Sequence, residues 1–338
     1  AALALAFGVV RFLGVEVVAS SGASNPLLAP FAAIVTLLVW VNLLARITLL
    51  VVAWVVDPKV EIPLAGGNVA GAVRVGDTVR RPAGPWTRAV HELLRHLEAA
   101  GLDKVPRAIG RDEQGREVLT YLPGSPVDLT ATTPGQLRAA AVWLAHFHLA
   151  VASFRPGVRR WRFVERDLEP YEIVCHHDAT LYNMLFDGDR LTGVVDWDVA
   201  GPGVPLDDLA ILAWSGLPCY PERPDAEVLA RLEMLVEGYA EGLGGRGAAP
   251  RRPSWLRRLL GDRGPRVVPV TTREVLEHVV VRMTAATDRI AAAQDAGDEG
   301  MLNLRKAGEP ERTRTQFAEF RDGRLPRLLA ALERREGQ

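Results

Sequence analysis

Three regimes of hydrophobic patterning follow one another along this chain. Residues 27–56 are an almost unbroken apolar run of about thirty residues in which Arg46 is the only charge, longer than the roughly twenty needed to cross a bilayer. Residues 1–19 form a weaker apolar stretch carrying Arg11 and Glu16, and residues 20–26 read as a polar turn between the two. This pattern predicts a membrane helical hairpin over residues 1–57. From Glu61 the pattern shortens into strands at 61–65, 72–75 and 78–81, joined by Gly66-Gly67-Asn68-Val69-Ala70-Gly71 and by the Gly76-Asp77 turn. A helical period follows over 87–100, then a strand over 117–122 closed by Pro123-Gly124, then a helix over 134–154 whose apolar face carries Leu137, Ala141, Leu144 and Ala145.

The third regime begins with a strand at 172–175. A hairpin of 184–186 and 191–195 is turned by Asp187-Gly188-Asp189, and helical segments follow at 226–243, 272–296 and 310–335. The Gly/Pro/Arg-rich stretch 242–269 reads as an exposed insertion. The order predicts an α+β fold: a small antiparallel sheet lobe over 58–123, then a mainly helical lobe over 124–338, preceded by the transmembrane helical hairpin.

Composition narrows the class. Forty basic residues against 41 acidic ones in 338 leave no excess charge for a nucleic-acid surface. Two cysteines, Cys175 and Cys219, suit a reducing compartment, and Cys175 ends a strand expected to be buried.

The candidate chemistry is concentrated in His176-His177-Asp178-Ala179-Thr180-Leu181-Tyr182-Asn183, followed thirteen residues after Asn183 by Asp196-Trp197-Asp198. This is H-x-D-x-x-x-x-N, a hairpin and a second acid, the order used by kinase-like phosphotransferases. One carboxylate can orient a hydroxyl and accept its proton, while an amide oxygen and a second carboxylate suit a hard cation bridging nucleotide phosphates. Asp187 and Asp189 need do no more than turn the chain. The His177-Asp178 pair also suggests a His-Asp metal phosphohydrolase, but that fold needs helices where this sequence places strands.

From about Glu61 to Leu332 the chain resembles the aminoglycoside phosphotransferase family, the small-molecule branch of the protein-kinase-like fold. The resemblance implies that Asp178 is the catalytic base, that Asn183 and Asp196 bind Mg²⁺, and that His176 supports the loop. It implies that Gly66, Gly67 and Gly71 cover the phosphates of ATP or GTP, and that backbone near Tyr121 and Leu122 reads the purine. Relatives often have Gly at His177, and they usually have a Lys where this chain reads Arg80-Arg81-Pro82. Arg80 is the first candidate for that cation, with Arg81 its neighbour on the opposite strand face. Its carboxylate partner from the helix is expected at Glu92, with His91 competing for the register. Asp208 is expected to cap a helix and steady the metal loop. His146 and His148 read as packing or surface groups, since i and i+2 do not share a helical face. Asp225, Glu237, Asp288 and Asp295 stand either as solvated surface charges or as contacts to a cationic acceptor.

Residues 1–56, with Ser24-Asn25-Pro26, Phe31, Leu38, Trp40, Asn42, Leu43 and Ala53-Trp54, resemble the final transmembrane helices of the YihY/BrkB family of inner-membrane proteins. That resemblance implies an inner-membrane protein whose kinase domain faces the cytoplasm, or a cytoplasmic protein if the segment is an artefact of gene assembly. The expected activity is Mg²⁺-dependent transfer of the γ-phosphoryl group of ATP or GTP to a hydroxyl of a small molecule. The alternatives are a catalytically silent kinase-like binding module and a part of a membrane transporter or envelope protein.

Overall fold

The computed structural model describes residues 29–55, 60–64, 71–216, 223–245 and 267–336. The chain divides into two compact units, 1–60 and 61–338.

In the first unit, helix α1 (Ala29–Val55) carries Arg46 as its only charge. Leu37, Leu49 and Leu50 are well exposed, and Thr48 satisfies its hydroxyl by donating to the Leu44 carbonyl at 2.8 Å. The expected membrane hairpin is not borne out. Its first half, residues 1–28, lies outside the described residues, and the side chains of α1 are described without a break only from Leu37 to Val52. Among the described residues no helix is long and apolar enough to cross a membrane.

The second unit begins with a five-stranded antiparallel sheet. Its strands are β1 (Ile62–Pro63), β2 (Val73–Val75), β3 (Thr78–Arg81), β4 (Ala108–Arg111) and β5 (Glu117–Thr120), in the order β1-β2-β3-β5-β4. Gly76, at φ +58°, makes the left-handed turn between β2 and β3 that a side chain would resist. Helix α2 (Thr87–Ala99) buries Val90, Leu93, Leu94 and Leu97, a helical-period stripe.

Strand β6 (Ser125–Pro126) then leads to helix α3 (Pro134–Val151). A capping box starts that helix: Thr133 Oγ1 accepts from Gln136 N, and the Gln136 side chain accepts from Thr133 N. Its apolar face brings Trp143 and Phe147 against Trp197. Two short strands, β7 (Arg159–Arg160) and β8 (Glu165–Arg166), precede the buried strand β9 (Ile173–Cys175). The expected hairpin is present as β10 (Met184–Asp187) and β11 (Arg190–Val194), and β6 pairs on its far side. Strand β12 (Gly201–Gly203) pairs with β9. Helices α4 (Pro205–Gly216), α5 (Asp225–Gly245), α6 (Thr272–Asp295), α7 (Glu299–Lys306), α8 (Glu311–Glu319) and α9 (Leu325–Glu336) complete the lobe.

One expected helix, 310–335, is interrupted by a π turn at Phe320–Arg324. Pro326 follows directly and has no N–H for the helical ladder, which accounts for the break. Residues 246–266, most of the expected insertion, and Cys219 lie outside the described residues.

Candidate active site

Strand β9 is fully buried, so the loop it feeds starts from a fixed point. The loop rests on Asp208, near the start of α4. Asp208 Oδ2 accepts from His176 N at 2.9 Å and Oδ1 from His177 N at 2.7 Å. His148 Nε2 lies 3.2 Å from Oδ2, and His148 Nδ1 lies 2.8 Å from the Tyr239 hydroxyl. Burial alone would raise the Asp208 pKa, but His148 first holds it far below the usual carboxylate range, and the two loop amides donate to the same carboxylate. His148 is thus a packing group, as its place on α3 suggested, with a polar task beneath the loop.

His177 has φ +63°, the left-handed region that disfavours an L side chain by roughly 1–2 kcal/mol. A glycine would take that conformation without the penalty. In this chain the residue is held by Asp208 at its N–H, by an Arg282 donor at its carbonyl and by the Pro202 carbonyl at Nε2, 3.0 Å away. His176 Nε2 lies 3.1 Å from the Val195 carbonyl, and its ring packs on Trp197 with centroids 4.5 Å apart. Burial lowers the pKa of both histidines, that of His177 to about 4, so the His177 ring is neutral at pH 7.

Asp178 is oriented from two sides. Asn183 Nδ2 donates to its Oδ2 at 2.8 Å, and the Tyr182 hydroxyl donates to its Oδ1 at 3.1 Å. Burial first, and then the Asp196 carboxylate, raise the Asp178 pKa to about 7 against those two hydrogen bonds. Val195 N donates to the Asn183 carbonyl at 2.9 Å, which ties the end of β11 to the loop and delivers Asp196 beside it. Asp196 itself takes a left-handed backbone, φ +64°, with its side chain 40 % exposed.

The cation that reaches this cluster is Arg81, and the expectation for Arg80 is overturned. Arg81 Nε donates to Glu117 Oε2 at 2.5 Å, Nη1 lies 3.4 Å from Asp196 Oδ1, and Nη2 pairs with Asp198. Arg80, one residue back on β3, points to the opposite face and pairs with Asp112 at 3.5 Å. Desolvation opposes the charge on Arg81, but Asp198, Glu117 and Asp196 outweigh it and raise the pKa above the ordinary arginine value. The expected helix carboxylate is corrected as well. Glu92 turns outward to Arg88 and Arg159, and Glu117 on β5 is the acid paired with Arg81. His91 Nε2 lies 2.9 Å from Glu117 Oε1, so α2 contributes to the array through the imidazole.

Glu117, Asp198 and Tyr182 were not singled out from sequence. The signal in hindsight is Glu117, a charged residue that opens the β5 strand directly before the apolar Val118-Leu119. It is 1 % exposed, and an acid buried to that extent requires a partner.

Gly66 and Gly67 lie outside the described residues. Gly71 is exposed, with open space where a Cβ would stand. Tyr121 N donates to the Asp77 carbonyl at 2.9 Å and Thr120 N to the Arg107 carbonyl at 3.1 Å, so neither is open to read a base. The Tyr121 ring instead supports Arg74, whose guanidinium sits 3.9 Å from its centroid. Leu122 packs against Gly193 of β11. Of the four acids weighed as acceptor contacts, Asp225 pairs with Arg324 and Arg327, Asp288 with Arg314, and Asp295 with Arg305, while Glu237 is exposed.

Among the described residues no group of three or more His, Cys, Asp or Glu side chains converges to hold a metal unaided. The donor set nevertheless fits Mg²⁺, which takes one or two protein oxygens and completes its shell with water and phosphate. Asn183 commits its Nδ2 to Asp178, which leaves Oδ1 for a cation, and Asp196 offers a half-exposed carboxylate.

Residues 157–256 match the family described as "Phosphotransferase enzyme family". The chain is 34 % identical over 192 residues to the trifolitoxin immunity protein of Rhizobium leguminosarum bv. trifolii, a match that covers 53 % of this chain and 74 % of that protein. Among solved structures it is similar to a choline kinase from Cryptosporidium parvum Iowa II, at TM-score 0.51 and 10 % identity over 81 % of this chain and 90 % of that one. It is also similar to the apoenzyme of a macrolide 2'-phosphotransferase from Brachybacterium faecium, at TM-score 0.40 and 19 % identity over 70 % and 90 % of the two chains. The choline kinase likeness supports the kinase-like fold. The resemblance of residues 1–56 to the YihY/BrkB family finds no support in these matches.

Proposed function

The chain belongs to the phosphotransferase enzyme family, and from that premise we propose that it moves the γ-phosphoryl group of ATP or GTP onto a hydroxyl of a small molecule. The observation that carries this reading is the convergence of Asp178, Asn183 and Asp196 on one loop and hairpin end, with Arg81 beside them. Asp178 orients the acceptor hydroxyl and takes its proton. The acceptor oxygen then forms a bond to the γ-phosphorus as the bond to the leaving diphosphate oxygen breaks. Asn183 Oδ1 and Asp196 would hold Mg²⁺, which supplies charge neutralisation of the phosphates. Arg81 provides fixed positive charge toward the phosphates, and its ion pairs with Glu117 and Asp198 keep it in place.

The acceptor belongs to the setting the Rhizobium relative's name suggests, protection against a toxic compound, and the reaction takes place in the cytoplasm, where ATP is available. The test is thermal stability of the full chain with ATP or GTP, with and without Mg²⁺, beside Asp196→Ala. A Mg²⁺-dependent rise in midpoint that the variant loses is the expected result. No rise with either nucleotide would instead indicate a silent binding module.

A further inference from the structure

Among the described residues, the helix face behind the loop carries two arginines, Arg282 and Arg289, that form no ion pair with a carboxylate, and Asp207 reaches Arg289 only through its field. Arg282 of α6 is 5 % exposed. Its Nη2 donates to the His177 carbonyl, whereas its Nε and Nη1 are buried without a hydrogen-bond partner. Seven residues further on, Arg289 lies on the same face of α6 and makes no hydrogen bond or ion pair among the described residues. Burial and the neighbouring Arg282 charge both lower its pKa, a sign that the two guanidinium groups share one poorly solvated region.

The nearby acids are already engaged. Glu172 holds Arg166 by two bonds of 2.6 and 2.7 Å. Asp207 accepts from Val204 N at 2.9 Å and lies 2.8 Å from His278 Nε2. Asp208 is committed to the loop amides and His148.

A buried guanidinium with open N–H donors is matched by a planar pair of anionic oxygens, which it binds through its fork. Its place is also specific. The bond to the His177 carbonyl sets Arg282 one residue from Asp178, and its charge acts on that carboxylate.

We propose that Arg282 and Arg289 form an anion subsite for the acceptor, which therefore carries a carboxylate or phosphate group close to the hydroxyl that is phosphorylated. This inference rests on the phosphotransferase reading of Asp178 and deepens it. It gives the acceptor the charge opposite to the one for which four acids were weighed as contacts in the sequence. Three of those acids are paired with arginines that reach solvent, Arg327, Arg314 and Arg305.

The experiment uses the full chain saturated with Mg²⁺ and ADP, so that added anions do not report the nucleotide side. Glycerate, glycerol 3-phosphate and glycerol are titrated while the thermal midpoint is followed. Glycerate or glycerol 3-phosphate is expected to raise the midpoint and glycerol to leave it unchanged, and which anion acts identifies a carboxylate or a phosphate ester. Arg289→Gln, at a partly exposed residue without partners, should fold normally and weaken the anion at least 10-fold, as should Arg282→Lys, which keeps the charge but loses the fork. Arg314→Gln, on the surface, should bind as wild type. The inference is overturned if neither anion shifts the wild type, or if Arg289→Gln binds them undiminished. An anion shift without any Mg²⁺·ADP shift would count against the phosphotransferase reading alone, because capture of the anion by α6 would still hold.

Discussion

Arg81 and Glu117 stand directly opposite each other in the register of β3 and β5 and are joined by an Nε–Oε2 bond of 2.5 Å, which fixes the guanidinium over Asp196 and Asp198. The sheet itself thus supplies the carboxylate that positions the cation. A charge-assisted hydrogen bond of this kind is worth roughly 1.5–3 kcal/mol. Arg81→Met is therefore expected to lower kcat/KM by about 10- to 100-fold. Glu117→Gln should fall in the same range with a larger loss of stability, since His91 and Arg81 both lose a charged partner. Arg80→Met, on the other face, should stay within about twofold of wild type, its pair with Asp112 being a partly exposed one. Steady-state kinetics on the three variants checks the assignment, and equal losses at Arg80 and Arg81 would reverse it.

Burial and Asp196 place the Asp178 pKa near 7, so the free enzyme should gain activity as pH rises through neutrality. The sign follows from its role. A base must be ionised, so kcat/KM declines toward acid pH with an apparent pKa near 7. Bound Mg²⁺ adds positive charge at Asp196 and should move that limb to lower pH in the kcat profile. Asp178→Asn should reduce turnover by about 10²- to 10⁴-fold and leave the Mg²⁺-dependent nucleotide shift intact. A flat pH profile in wild type between 5 and 9 would exclude Asp178 as the base.

Much of this site was legible in sequence because its chemistry is local. Asp178, Asn183 and Asp196 lie within one loop and one hairpin, and their spacing fixes their meeting once the strands form. The small antiparallel sheet was legible for the same reason, since glycine turns and alternation specify neighbouring strands. What was not legible depends on contacts between distant segments. The choice of Arg81 over Arg80 is a matter of which strand face meets the lobe below, and adjacent residues on a strand face opposite ways. Glu117 substitutes for Glu92 because α2 presents His91, not its neighbour, to the sheet. Which arginine each of the acids weighed as acceptor contacts would pair with was not legible either, because a surface pair such as Asp288–Arg314 spans 26 residues and leaves no local mark. Conversely, Arg282 sits in an amphipathic helix where its burial could be known only from what α6 covers.

Asp208 offers the sharpest test of how the loop is held. Its two oxygens accept the His176 and His177 amides while His148 completes the set, and both Asp208 and His148 are fully buried. Asp208→Asn keeps the shape but replaces an acceptor by a donor that must face an amide N–H or His148. Leaving buried donors without the carboxylate acceptor that satisfied them costs about 1–3 kcal/mol each, and more where the lost hydrogen bond was charge-assisted. Because its pKa is depressed in the folded state, Asp208 stabilises the protein above the carboxylate's unfolded pKa, and that contribution fades only under strong acid. The wild-type and Asp208→Asn stabilities should accordingly differ by the full amount at pH 7 and converge as the pH falls below about 4. Denaturant unfolding at pH 7 and at successively lower pH below 4 measures this. His148→Gln, which can still donate one hydrogen bond to Asp208, should keep most of the wild-type stability at pH 7. A loss there as large as that of Asp208→Asn would mean that the fit of the imidazole between Asp208 and Tyr239, and not a single hydrogen bond, is what holds the loop.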